Sequence, residues 1–109
     1  MSTLNLPPFA GCTFEAAYDG LTATNAYDAD SLTLRYEITE GPLRGAEGEV
    51  QYQWREIAPG LHAISWQEAD GATVVHIDDF ARGTSQSFFT TPTLTLHRLS
   101  GTLRLLGSA

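Results

Sequence analysis

Two short patterns in this chain bring together side chains that could move protons. In Leu61-His62-Ala63-Ile64-Ser65-Trp66-Gln67-Glu68, the period of two of a β-strand puts His62, Ile64, Trp66 and Glu68 on one face. A carboxyl beside an indole in a dry cavity has its acid form favoured and can serve as a general acid or base. The turn at Asp70-Gly71 that follows equally allows Glu68 a solvated place at a strand end. In the next segment Ala72, Val74, His76, Asp78 and Phe80 share a face, so His76 and Asp78 stand on one side, two residues apart. A carboxylate so placed can fix the imidazole tautomer for proton transfer, and the same pattern suits a hydrogen-bonded core histidine. Tyr18, Tyr36, Tyr52 and Trp54 recur at half-buried strand positions, so several rings are expected to share one volume, as core or as the lining of a pocket.

Other chemistries lack their residues. His62, His76 and His97 come from three separate segments without local ligand spacing, so no metal is expected. Cys12 is the only cysteine, which excludes an internal disulfide and a cysteine-cluster site. No phosphate loop, nucleophile elbow or dinucleotide fingerprint occurs, and no cofactor is expected. Thirteen acidic residues face six basic ones, all arginine, for a net charge of −7. Arg35, Arg44, Arg55, Arg82, Arg98 and Arg104 form no basic run, so nucleic acid is not an expected partner. No apolar run approaches the roughly 18 residues of a membrane helix. Residues 1–12 lack the basic and apolar regions of a signal peptide, so the expected compartment is the cytoplasm.

The elements that must position these residues are strands. Leu32, Leu34, Tyr36 and Ile38 alternate with Thr33, Arg35, Glu37 and Thr39, and Val50, Tyr52 and Trp54 alternate with polar neighbours up to Arg55. Segments 61–67, 72–80, 84–90 and 94–106 are rich in Val, Ile, Thr, Trp and Phe. Turn residues at Asp19-Gly20, Asp28-Ala29-Asp30, Gly41-Pro42, Pro59-Gly60, Asp70-Gly71 and Arg82-Gly83 link them by connections too short for parallel crossovers. The expectation is an all-β chain of about eight antiparallel strands, the last bent at Ser100-Gly101, closing into an up-and-down barrel. The 109 residues are read as one barrel domain over 9–109 preceded by an extended arm over 1–8.

The stretch Ser-Trp-Gln-Glu-Ala-Asp-Gly-Ala-Thr-Val-Val-His-Ile-Asp-Asp-Phe, from Ser65 to Phe80, resembles the MoaF-like family. Pro59-Gly60, Thr90-Thr91-Pro92 and Gly101-Thr102-Leu103 extend the resemblance, which implies a calycin-like, lipocalin-like barrel. A more distant likeness to the phenolic acid decarboxylases rests on Phe9-Ala10-Gly11, Ala16-Ala17-Tyr18-Asp19-Gly20 and Gly60 to Glu68. It implies that Glu68 stands where those enzymes carry their acid and Tyr18 where they carry the second of two tyrosines. The first tyrosine's place looks like Ala16, and the arginine that helps hold their substrate falls near Ala46, with Arg44 close by.

Two functions follow. One is a cofactor-free lyase or isomerase in which Glu68, His76 and Tyr18 are catalytic, acting on a small aromatic or unsaturated acid. The other is a noncatalytic carrier or sensor of an apolar metabolite. In either, Tyr36, Tyr52, Trp54, His62, Trp66 and Asp78 are the expected ligand-binding residues. The missing tyrosine and arginine favour the carrier, and Glu68 with His76 favours proton chemistry. Apolar residues on both faces of Val74-Val75 and Phe88-Phe89 lead us to expect a homodimer.

Overall fold

The computed structural model describes residues 5–108. Period-two alternation becomes nine strands: β1 (Cys12–Tyr18), β2 (Leu21–Tyr27), β3 (Thr33–Glu40), β4 (Glu47–Gln51), β5 (Gln53–Ala58), β6 (Leu61–Gln67), β7 (Thr73–Asp79), β8 (Thr84–Thr90) and β9 (Leu96–Ser108). They form one antiparallel sheet in the order β4-β3-β2-β1-β9-β8-β7-β6-β5, and no helix occurs among the described residues.

The two edge strands of this sheet are consecutive in the chain, joined by Tyr52 alone. β4 pairs with β3 from Thr33↔Gln51 to Glu37↔Glu47, the Tyr52 N–H donates to the Leu32 carbonyl at 2.9 Å, and β5 pairs with β6 from Gln53↔Ser65. The sheet therefore curls into a half-barrel whose two edges are halves of one bent segment. The ninth strand arises here: the alternation at Val50, Tyr52 and Trp54 continues through the bend, but the backbone must leave β3 to reach β6. The side chain of Tyr52, 1% exposed, anchors the corner.

β9 runs as one strand through Ser100-Gly101, pairing with β8 up to Thr102 and with β1 from Gly101 onward. Gly101 serves a close approach. A Cβ there would run into the Ala17 carbonyl of β1, a backbone group that cannot yield.

The inner faces of the strands fill the curl unevenly. At one end Phe9 is buried against Tyr27, Tyr52, Trp54, His62 and Phe80, with ring centroids 4.7 to 6.4 Å apart. This is a close-packed aromatic plug. Phe9 arrives from the expected N-terminal arm, of which residues 1–4 lie outside the described residues. The arm is tied down by the Trp54 indole N–H, which donates to the Asn5 carbonyl at 2.8 Å. At the opposite end the interior is open. Of the apolar pairs, Val75 is outward and 37% exposed, while Phe89 turns inward to the open end.

The plug carries a pH dependence. The hydroxyls of Tyr27 and Tyr52 have no protein hydrogen-bond partner among the described residues. Burial, reinforced by the negative field of Asp78, pushes the Tyr27 phenol well above its usual 10.0; burial, reinforced by Asp28, pushes Tyr52 up to about 12. The folded chain thus holds these protons more tightly than the unfolded chain. The stabilisation is complete below pH 10 and is lost as pH rises from there through the folded-state values. Urea midpoints should therefore fall between pH 10 and about 12. The double variant Tyr27→Phe, Tyr52→Phe should show a shallower fall, while staying within about 1 kcal/mol of the parent at pH 7 because no hydrogen bond is lost. An unchanged alkaline slope in the variant would contradict this account.

Candidate functional site

A cavity of about 240 Å³ occupies the open end. Leu21, Ala23, Ile38, Val74, Phe89 and Leu99 supply most of its wall, from β2, β3, β7, β8 and β9. Leu43 and Ala46, in the loop between β3 and β4, overhang the mouth. That loop is held by the Gly45 N–H donating to the Ile38 carbonyl at 2.9 Å and the Ile38 N–H donating to Ala46 at 2.8 Å.

Besides Asn25 and Ser87, titratable groups enter this mostly apolar wall at two places. The first is Glu68, one residue past β6. The Tyr36 hydroxyl donates to its Oε1 at 3.0 Å, and the Trp66 indole N–H donates to its Oε2 at 3.4 Å. Both oxygens meet a donor, which suits an acceptor-only carboxylate and leaves lone pairs directed elsewhere. Tyr36 can reach Glu68 because its cross-strand partner is Gly48. A Cβ at Gly48 would lie 2.6 Å from the Tyr36 hydroxyl oxygen and 2.7 Å from the ring, so the phenol rests in the space a side chain would fill. Burial first, then the hydrogen bond and charge of Glu68, push the Tyr36 phenol up to about 12, so it stays a donor at ordinary pH.

The second place is His76, buried beside Trp66 with ring centroids 5.1 Å apart. Its Nδ1 lies 3.7 Å from Asp78 Oδ2, too far for a hydrogen bond, and neither atom has another protein partner among the described residues. Asp78 is fully buried beside it. The register explains what holds that carboxylate. Tyr18 of β1, Gly101 of β9, Ser85 of β8, Asp78 of β7 and His62 of β6 form one row across the sheet. Gly101 puts no side chain between Tyr18 and Ser85, and their hydroxyl oxygens meet at 2.7 Å. Ser85 Oγ donates its single proton to Asp78 Oδ1, so Tyr18 is the donor to Ser85. Burial pushes the Tyr18 phenol above its usual range, and its proton stays committed to this chain.

The residues singled out from sequence therefore divide by height in the curl. Tyr18, Tyr36, Trp66, Glu68 and His76 meet at the cavity. Asp78 lies beside His76, outside the lining of the cavity. Tyr52, Trp54 and His62, expected to bind ligand, are in the aromatic plug at the other end, because strand alternation reports the face of a residue and not its height. Asn25 and Ser87 line the cavity and were not anticipated from sequence. Their signal was an inward polar residue in Ala23-Thr24-Asn25 and in Ser85-Gln86-Ser87. Ala46, near the place implied for an arginine, lines the mouth, whereas the Arg44 side chain is exposed outside it.

Comparison with known proteins agrees with this architecture. A family model described as MoaF-like matches residues 10–104. No curated protein matches the chain. A crystal structure described as that of "a putative beta-lactamase from Burkholderia vietnamiensis" is similar at 61% identity and a TM-score of 0.92, covering 94% of this chain and 100% of that one.

Two variants test the geometry around Glu68. Glu68→Gln removes the charge that raises the Tyr36 phenol, and Gly48→Ala pushes the phenol out of its place. In both, the Tyr36 phenolate titration, followed by NMR of labelled tyrosine, should move down from about 12 toward 10.0. A Tyr36 titration unmoved by Glu68→Gln would show that the two groups do not interact.

Proposed function

This chain belongs to the MoaF-like family, and we propose that it binds a small, mostly apolar molecule in its open-end cavity and moves a proton on it with Glu68 and His76. The observation that carries this reading is one carboxylate and one imidazole entering a mostly apolar cavity, Glu68 from the end of β6 and His76 from β7, with Trp66 beside both. An engineered cavity of about 150 Å³ accepts benzene, so about 240 Å³ suits a single ring or unsaturated chain with a few substituents. Glu68 takes a proton from one atom of the bound molecule and His76, as imidazolium, gives one at another, so the molecule's proton count is unchanged. Such a transfer needs no redox partner and is the chemistry of a cofactor-free lyase or isomerase.

Tyr36 and Trp66 orient the Glu68 carboxyl, and Asp78 stands beside the imidazole. Tyr18 borders the cavity with its ring while its proton is committed to Ser85, so its part is to position the Ser85–Asp78 pair. A noncatalytic carrier would use the same walls, but it would not need a buried carboxylate beside a cavity histidine.

The description of the Burkholderia protein raises amide hydrolysis as another reading. The chain contains no lysine, so it has no Ser-x-x-Lys nucleophile motif. Among the described residues no group of three His, Cys, Asp or Glu side chains could hold a metal ion. Neither known route to β-lactam hydrolysis has its residues here, and a chromogenic cephalosporin should not be turned over above the buffer rate.

The test of the proposal is Glu68→Gln on whichever small aromatic or unsaturated compound the parent protein converts in a screen. Turnover should fall about 10²-fold or more, beyond any change in ligand affinity, the scale of losing a general acid or base. His76→Asn should lower turnover by a comparable factor. Full turnover by Glu68→Gln would overturn the catalytic assignment and leave the carrier.

A further inference from the structure

The charge distribution around the cavity says more about its occupant than its size does. Resting on the proposed binding reading, we infer that the cavity selects a ligand carrying an amine or hydroxyl donor and excludes carboxylates. No arginine or lysine side chain lines the cavity. The chain has no lysine, and all six arginines are exposed. Arg35, Arg82 and Arg104 are held outside against Glu49, Asp79 and Glu15. Arg44 lies in the same loop as Leu43 and Ala46 but is exposed and does not line the cavity.

Of the polar side chains that remain, Asn25 and Ser87 are neutral and can donate or accept, and Glu68 is the one carboxylate in the lining. Glu68 has donors on both oxygens from the protein side, so what it offers the cavity is a lone pair and a negative charge. Any positive charge on His76 is offset by Asp78, 3.7 Å away. A ligand carboxylate would lose its hydration and meet Glu68 with no cation to compensate, which is the costly arrangement for a buried charge. An ammonium or hydroxyl group meets the opposite situation: its N–H or O–H finds the free lone pairs of Glu68 while its ring lies on Trp66 and the apolar wall. Asp70 adds its field at the same end, where it acts on Tyr36. The net charge of −7 draws a cation toward the protein from solution and repels an anion.

Three probes of one shape test this: 2-phenylethylamine, 2-phenylethanol and phenylacetate, each titrated into the full chain by calorimetry at pH 7 and low salt. The amine and the alcohol should bind, and the amine should bind about tenfold or more tighter than phenylacetate. Glu68→Gln should bring the amine down to about the affinity of the alcohol, because the charge is lost while the amide oxygen still accepts from either group. Arg44→Gln should leave the order of the three as it is. Phenylacetate binding as well as the amine, above all if Arg44→Gln abolishes it, would overturn the inference while the binding reading stands. Absence of binding by all three would overturn both.

Discussion

A fully buried carboxylate in the middle of a β-sheet sets the terms for this fold. Asp78 has no exposed surface, and an uncompensated charge in such a place costs several kcal/mol even after relaxation. Its partners come from strands far apart in the chain: Ser85 on β8, the Tyr18 hydroxyl behind Ser85 on β1, and His76 on its own strand. The chain Tyr18 to Ser85 to Asp78 exists only if β1, β9, β8 and β7 hold one register, because each link spans a row of the sheet. A one-residue slip would turn every inner side chain outward and leave the carboxylate unpaired. The polar row therefore works as a register pin. It also divides the interior into an aromatic plug on one side and an open cavity on the other.

Glycine has a matching role at two positions. Tyr18 passes Gly101 to reach Ser85, and Tyr36 lies over Gly48 to reach Glu68. In each case a missing side chain lets a phenol cross a strand and deliver its hydroxyl proton toward a carboxylate system. The two ends of the curl then differ in kind. Where Phe9 enters, rings pack on rings; at the other end the wall is mostly apolar, Glu68 is held by two neighbouring donors, and a cavity is left. Rigid strands, and not mobile loops, carry Glu68's two donors and His76, which is the arrangement that holds reacting groups to a fixed geometry.

The inner face of each strand was legible in the sequence, because a period of two admits only two choices and the apolar residues make one of them. That placed Trp66 beside Glu68 and His76 beside Asp78, and it is why the most informative residues of the site could be named in advance. Height along the barrel was not legible. Tyr52, Trp54 and His62 share the inner face with Trp66, yet the register of β5 and β6 and the entry of Phe9 put them in the plug. The break at Tyr52 was hidden for a related reason: alternation continues through it, and only the change of hydrogen-bond partner from β3 to β6 marks it. The absence of arginine from the cavity wall was also invisible, since it is a fact of three-dimensional placement.

On the proposed reading, a ligand enters at the Trp66 end and nowhere else in the interior. The two tryptophans report the two ends separately: the Trp66 indole N–H faces Glu68 at the cavity, and the Trp54 indole N–H is bonded to the Asn5 carbonyl beside the plug. In a ¹H–¹⁵N spectrum of the indole region, addition of 2-phenylethylamine should shift the Trp66 resonance and leave that of Trp54 in place. A shift of Trp54 with Trp66 unmoved would place the ligand at the wrong end and contradict the account.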